Sequence, residues 1–481
     1  MKEIPESRFL CGSGIYSDGE SSERESAMSK KKKISIACLA VAVIALSAWV
    51  WSRWDVWFSN TAEEPYVSAR VPHRVLLTFG DRSELSRNVS WQSDSTVKPS
   101  WVELVCLADS DTTRIEASGE VFRSRSGVAA YYVARLRSLQ PDRHYRYRAV
   151  SGGEASPWYE FRTWPSGRDS MSFLYVGDVQ DTIGGRANQY LREALARHSE
   201  SEFVVCGGDL TERPTDQHWA ETFRDVDSVG QAMPLLAVTG NHEYLKGVIQ
   251  RLERRFSLVF SYYLDSQVGD NQVYTLCYGP VQLFLLDSNR EFLYLPDQRR
   301  WLREQLSQSR ARWKIVVLHH PLHSLMGSSN NLIQRWFFDD LVEEYGVDLV
   351  LQGHEHAYAR MTRHDDDGRP VAPVYTVSHC SPKNYRIHFD DRFDKYGISS
   401  RYYQTVAVRG DTLTMAAYEV YSHTLYDSLQ IVKHGNRVEI ADHGRDIPEY
   451  MEYTPQPGNK KDGAYAERIA DYKRRHPERV K

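Results

Sequence analysis

Five times between residues 173 and 356, a short apolar run stops abruptly at a cluster of glycine, aspartate, asparagine or histidine. The run 173–176 meets Gly177-Asp178-Val179-Gln180, 203–205 leads into Gly208-Asp209, and 235–238 meets Gly240-Asn241-His242-Glu243. The run 315–318 ends at His319-His320-Pro321, and 349–351 leads into Gly353-His354-Glu355-His356. Short, nearly continuous apolar runs bounded by such residues read as strands buried on both faces. Helical patterns at 187–197, 296–308 and 333–345 lie between several of them, which predicts a layered α/β fold. In such folds ligands gather at the carboxyl ends of strands, so the five clusters are expected to converge.

The residue types suit a pair of divalent cations, which take hard carboxylate and amide oxygens together with imidazoles. Asp209 follows a Gly-Gly turn that allows close backbone approach, as a carboxylate shared by two ions requires. Asn241 offers an amide oxygen, and His319, His354 and His356 offer imidazoles. His354 and His356 are two apart, so an extended or tightly turned segment would present them to different ions. Each residue also has an ordinary reading. Asp178 and Asp209 would cap the helices after their strands, and His319 and His320 would be half-buried histidines. Only the ordered set points to metal-dependent hydrolysis of phosphoesters.

These motifs resemble the calcineurin-like metallophosphoesterase superfamily. With Gly353-His354-Glu355-His356-Ala357-Tyr358-Ala359-Arg360 and the β-rich segment before the clusters, the chain resembles more narrowly the purple acid phosphatase branch. The resemblance implies a four-layer sandwich of sheets flanked by helices, with two metal ions (Mn, Zn or Fe). Asp178, Asp209 and His356 would hold the first ion, with Gln180 in the position of a further ligand. Asp209, Asn241, His319 and His354 would hold the second. His242 and Asp209 would be catalytic, while Asn241, His242 and Arg360 would contact the substrate phosphate. Attack of a metal-bound hydroxide on a phosphomonoester is the implied reaction. Two departures stand out. Glu212 occupies the position of the branch's iron-binding tyrosine, which argues for divalent ions over a ferric centre. Gln180 stands where the superfamily has histidine, which weakens the first site. The alternatives are a phosphodiesterase or nucleotide-pyrophosphate hydrolase with the same metals, or a surface binding protein with a vestigial site.

The rest of the chain frames this region. Residues 67–164 alternate in short β-rich stretches, and Leu139-Gln140-Pro141 before Tyr145 reads as the tyrosine corner of a fibronectin- or immunoglobulin-like sandwich, with Trp91 in its core. The catalytic region is expected over 171–441, with β pattern returning at 399–441. Residues 1–33 are polar, with Met28 a possible alternative start. Lys30 to Lys33 precede the uncharged run 34–51, and Trp49, Trp51, Trp54 and Trp57 follow it like an interfacial belt. That order predicts a membrane anchor or uncleaved signal, with the catalytic portion on the extracytoplasmic side, periplasmic or at the cell surface. A net charge of −4 gives no indication of nucleic acid. The expected partners are a phosphorylated small molecule or surface substrate and the membrane, and nothing specifies an oligomer. Six scattered cysteines make no CxxC pattern. The pairs Arg254-Arg255 and Arg299-Arg300 read as solvated helix faces. The charged tail 455–481 is expected as one exposed helix or as disordered chain.

Overall fold

Side chains alternate across a strand, and in the centre of this protein both faces of the strands are covered. Leu283, Leu285, Ile315, Val317, Leu349 and Leu351 point into one apolar core, while Phe284, Val316, Leu318 and Val350 belong to another. That is why the runs read as continuous rather than alternating. A computed structural model describes residues 30–81, 84–109, 111–262, 268–269, 272–289, 294–435 and 437–480.

Two seven-stranded sheets form the central layers. In the first, Leu235–Ala237, Val204–Cys206 and Ser170–Val176 are parallel, followed by the antiparallel Tyr402–Arg409, Thr412–Glu419, Leu425–His434 and Arg437–Asp442. In the second, Val281–Leu285, Trp313–Val317, Leu349–Gln352 and Pro370–Val377 are parallel neighbours. Tyr274–Tyr278 and the pair Tyr358–His364 and Lys395–Gly397 flank them antiparallel. The apolar cluster around the first sheet also takes in Tyr190, Leu191 and Ala194 of helix Ala187–Arg197 and Trp219 of helix Asp216–Asp225. On the far face of the second sheet, helices Leu295–Gln308 and Leu332–Glu344 bury Trp301, Leu302, Phe338 and Leu341. The five apolar runs and the three helical patterns are all realised, with ends within three residues of those expected.

Before these layers stands an all-β sandwich whose two halves share the long strand Thr112–Arg123. Trp91 is buried, stacks on Tyr132 and donates its indole N–H to Ser151 Oγ at 2.9 Å. The Gln140 amide donates to the Tyr145 hydroxyl oxygen at 2.8 Å, closing the tyrosine corner. The shared strand escaped sequence reading because its residues are mostly exposed and polar, so no alternation survives. The sandwich is joined to the layers by a continuous core containing Leu76, Phe79 and Tyr131. Polar bonds add to this, among them Arg74 to Asp216 at 2.7 Å and the Tyr147 hydroxyl to the Gln231 carbonyl at 2.8 Å.

Three expectations need correction. The tail forms helix Lys460–Arg475, capped by Asn459, and it is not an exposed helix: Tyr465, Ile469 and Tyr472 are buried in the outer core. Their helical spacing supplies one apolar face that the surrounding charges disguise. Arg255 is fully buried, ion-paired to Glu63 and Glu253, whereas its neighbour Arg254 faces solvent and pairs with Glu120. A short helix shows alternate residues to opposite environments, and sequence adjacency hides this. Arg299 is likewise drawn to Asp340 and the Phe337 carbonyl on the adjoining helix. The N-terminal helix Lys30–Phe58 is a separate unit, and its Ile34–Phe58 stretch is long and apolar enough to cross a membrane. It absorbs the four tryptophans expected to follow the span. Among the described residues the cysteines form no disulfide.

Candidate metal centre

The five clusters emerge from the carboxyl ends of three parallel strands in the first sheet and two in the second. Their side chains meet in two groups that share one residue. Asp209, His319 and His354 bring ligand-type atoms within 4.8 Å of one another, and so do Asp178, Asp209 and His356. Asn241 joins the first group, with Oδ1 2.9 Å from His354 Nδ1 and 3.3 Å from His319 Nε2. His319 Nδ1 lies 2.8 Å from the Gly207 carbonyl and donates its proton there. This directs Nε2 at Asp209 Oδ2, 3.4 Å away, and at His354 Nδ1, 3.3 Å away. In the second group Asp178 Oδ1 and His356 Nε2 are 3.4 Å apart, buried, and without hydrogen-bond partners. Acceptor-type atoms converging at buried points, two of them orphaned, are what a divalent cation satisfies, so the residues fit a metal.

The electrostatics follow from this crowding. Burial opposes ionisation of Asp209, but the charges of His319 and His242 and the His242 amide hold its carboxyl well below the usual carboxylate range. Burial disfavours a charged His319, yet Asp209 and Asp178 outweigh it and raise that imidazole to about 10. His354 is pushed down to about 4 by burial and by the facing His319. In the metal-free protein a proton on His319 therefore stands in for a cation.

Local backbone geometry places these atoms. Asp178, Asp209 and His354 all have positive φ, at 45°, 51° and 68°. For residues other than glycine this conformation costs about 1–3 kcal/mol each and collects at functional sites. A Cβ at Gly240 would lie 2.1 Å from Asp209 Oδ1, and one at Gly353 2.4 Å from Asp178 Oδ2, so both turns require glycine. Glu243 braces two of the clusters. Its carboxylate accepts from the amides of Asp209, Leu210, Thr211 and Gly240 at 2.7–3.1 Å. Sequence reading placed Glu243 in a motif but gave it no task, because three of its four partners lie more than thirty residues away.

His242 lies at the edge of the cluster, half-buried. Its Nδ1 is 2.6 Å from the Glu212 carbonyl and its Nε2 is 3.9 Å from Asp209 Oδ2. Gln180, expected among the metal ligands, lies against the shared carboxylate: its main-chain N–H donates to the Asp209 carbonyl at 3.1 Å, and one end of its side-chain amide lies 3.1 Å from Asp209 Oδ2. The Glu212 carboxylate is bound by Lys383 Nζ at 2.6 and 2.8 Å. Tyr385, which no motif marked, stacks on His356 at 4.4 Å with planes 6° apart. His379 also stacks on His356, at 5.4 Å.

Arg360, expected to contact substrate phosphate, is withdrawn from the site. It is 1% exposed, and its guanidinium is spent on Asp427, Asp394 and Asp442 at 2.7–3.0 Å. The strand Tyr358–His364 turns it towards the first sheet, a direction that motif adjacency does not reveal.

Comparison with known proteins finds relatives of both parts of the chain. Residues 171–358 match the calcineurin-like phosphoesterase family, and residues 72–163 match the purple acid phosphatase N-terminal domain. Purple acid phosphatase 18 of Arabidopsis thaliana is 26% identical over 335 residues, 64% of this chain and 70% of its own length. A phosphoenolpyruvate phosphatase of Allium cepa is 24% identical over 320 residues, 61% of this chain and 63% of its own. The structure of purple acid phosphatase PPD1 from yellow lupin (Lupinus luteus) seeds superimposes with a TM-score of 0.64 at 16% identity. That superposition covers 76% of this chain and 74% of the lupin chain.

Proposed function

We propose that this chain, a metal-dependent phosphoesterase of the calcineurin-like family with a purple acid phosphatase N-terminal domain, is a two-metal phosphomonoesterase tethered to a membrane. One observation carries the reading: two ligand groups share Asp209, and one of them leaves Asp178 Oδ1 and His356 Nε2 buried and unpartnered. Asp178, Asp209 and His356 would hold one ion, and Asp209, Asn241, His319 and His354 the other. When bound, such a pair supplies Lewis acidity that neutralises phosphate charge and lowers the pKa of water.

The protein's own groups do the rest. His242 Nδ1–H donates a hydrogen bond to the Glu212 carbonyl, which turns Nε2 towards the cluster, where the imidazolium form would give its Nε2 proton to the departing alkoxide. Asn241 orients the phosphate beside it. Gln180 and Glu243 hold Asp209 and its loop against the pull of a bound ion. A phosphomonoester is favoured because the onion relative is named for one, phosphoenolpyruvate. The apolar stretch Ile34–Phe58, preceded by lysines, supports an anchor that leaves the phosphoesterase on the extracytoplasmic side.

The test is to strip metals, restore Mn, Zn, Fe or Co singly, and assay an aryl phosphate against an aryl phosphodiester, with Asp209→Asn as control. Metal-restored monoester turnover that Asp209→Asn abolishes is the expected result. Preference for the diester would move the chain to the phosphodiesterases, and protein that takes up no stoichiometric metal would sink the reading.

A further inference from the structure

Beside the metal cluster lies a cavity of about 300 Å³ whose floor is Asn241 and His242. Its walls come from separate parts of the chain. Asn60 and Thr61 belong to the segment after the N-terminal helix, Arg125 to the sandwich hairpin between Thr112–Arg123 and Val128–Leu136, and Arg213 to the loop after Asp209. Lys246 closes the far side. Three cationic side chains therefore face a space that adjoins the proposed proton donor.

Among the described residues neither arginine is neutralised by a carboxylate, and the guanidinium of Arg125 is also held in place. Arg125 donates to the carbonyls of Thr61 at 2.5 Å and Pro214 at 3.0 Å, which fixes its guanidinium without cancelling its charge. The main-chain carbonyl of Arg213 is held by the Thr211 hydroxyl at 2.7 Å and the Thr215 amide at 2.8 Å. Among the described residues its guanidinium has no hydrogen-bond or ion-pair partner. The one carboxylate in the cavity wall, Glu212, is already paired with Lys383. Unneutralised guanidinium groups in a recess are suited to carboxylate or phosphate oxygens. Because Asn241 and His242 border both the cluster and this recess, a substrate whose phosphate sits at the cluster can extend its leaving group past His242 into it.

We infer that the cavity selects phosphomonoesters whose leaving group carries a second anionic group, read by Arg125 and Arg213. The inference rests on the phosphomonoesterase reading. It makes the sandwich hairpin part of the substrate site, because Arg125 reaches the recess from there. The reaction is otherwise unchanged: water adds to phosphorus, the ester P–O bond breaks, and the leaving oxygen takes a proton.

The test uses the full chain in detergent, metal-loaded, with two matched pairs of esters. Glycerate 3-phosphate against glycerol 3-phosphate probes a carboxylate. Fructose 1,6-bisphosphate against fructose 6-phosphate probes a second phosphate. The wild type should favour the more anionic member of at least one pair by about ten-fold in kcat/KM, the worth of one charge-assisted hydrogen bond. Arg125→Gln and Arg213→Gln should each shrink that ratio, and the double variant should bring it near one. A damaged hairpin would slow both members alike and leave the ratio intact, so the ratio separates recognition from folding. Equal kcat/KM within both pairs, or a preference that survives the double variant, overturns the inference while leaving the phosphatase standing. If no ester is turned over, the functional reading fails instead. Calorimetry then decides the cavity alone: tighter binding of fructose 1,6-bisphosphate than of fructose 6-phosphate, abolished in the double variant, supports it, and equal binding overturns it.

Discussion

Replacing Glu243 by glutamine changes one oxygen to an amide nitrogen at the most heavily hydrogen-bonded carboxylate beside the cluster. Oε1 accepts from Leu210 and Thr211 at 2.8 and 3.1 Å, and Oε2 accepts from Asp209 and Gly240 at 3.0 and 2.7 Å. Whichever way the new amide turns, its NH2 faces two main-chain donors, and two buried N–H groups lose their acceptor. Burial and the Asp209 charge push the Glu243 carboxyl up to about 8, but with two main-chain N–H donors on each oxygen it is the ionised form that the loops bind, and the surviving oxygen of glutamine lacks that charge. At about 1.5 kcal/mol for each lost charge-assisted bond, the low end of the usual range, Glu243→Gln should cost about 3 kcal/mol. For a domain of this size that corresponds to a fall of roughly 6 °C in Tm. The loops released carry Asp209, Asn241 and His242, so metal affinity should also fall by about 10–100-fold. Thermal denaturation of metal-free protein reads the first effect, and metal titration with a competing chelator reads the second. A Tm and a metal affinity both equal to wild type would refute the argument that this carboxylate organises the site. A lowered Tm with unchanged affinity would confine its role to stability.

Other outcomes follow from the same electrostatics. Since Asp209 and Asp178 raise His319 to about 10 in the metal-free protein, metal binding at pH 8 should expel about one proton, and apparent affinity should increase with pH up to that value. Calorimetry in buffers of different ionisation enthalpy would detect the proton, and a pH-independent affinity would count against it. Burial works against Glu63, yet bonds from Ser124 and Arg255 and the Arg255 charge lower its carboxyl to about 2. Its contribution is therefore fully present above the unfolded value near 4.5 and is lost as pH falls towards 2, an effect on the order of 3 kcal/mol. Unfolding curves of wild type and Glu63→Gln should converge across that window, and curves that stay parallel would exclude the linkage. Arg360→Met should destabilise the fold by about 3–5 kcal/mol, since it strips the cation from buried Asp427. Its KM for phosphate esters should not move; a steep rise in KM at unchanged Tm would return Arg360 to the substrate.

How far the sequence carried the argument depends on what each feature needed from elsewhere. The runs 173–176, 203–205 and 315–318 were legible because strands covered on both faces leave no polar residue to interrupt them. The tyrosine corner was legible because its donor and acceptor, Gln140 and Tyr145, are five residues apart. The strand Thr112–Arg123 was not, since its pairing lies in main-chain bonds that its exposed side chains do not report. The tail helix was obscured by charge, although Tyr465, Ile469 and Tyr472 already marked its buried face.

At the site, the residue types and their positions after strand ends were determined by sequence alone, because a turn that closes a strand is a local event. Which atoms meet was not. Asp209 belongs to both ligand groups because strands from two sheets aim their ends at one point. Gln180 proved to lie against Asp209, Arg360 to be a structural cation, and Arg125 to be a cavity residue contributed by the sandwich. In each case the outcome depended on side-chain direction and on partners tens of residues away. A linear string carries the chemistry of a group but not the direction in which packing points it, and that direction separates a ligand from a brace.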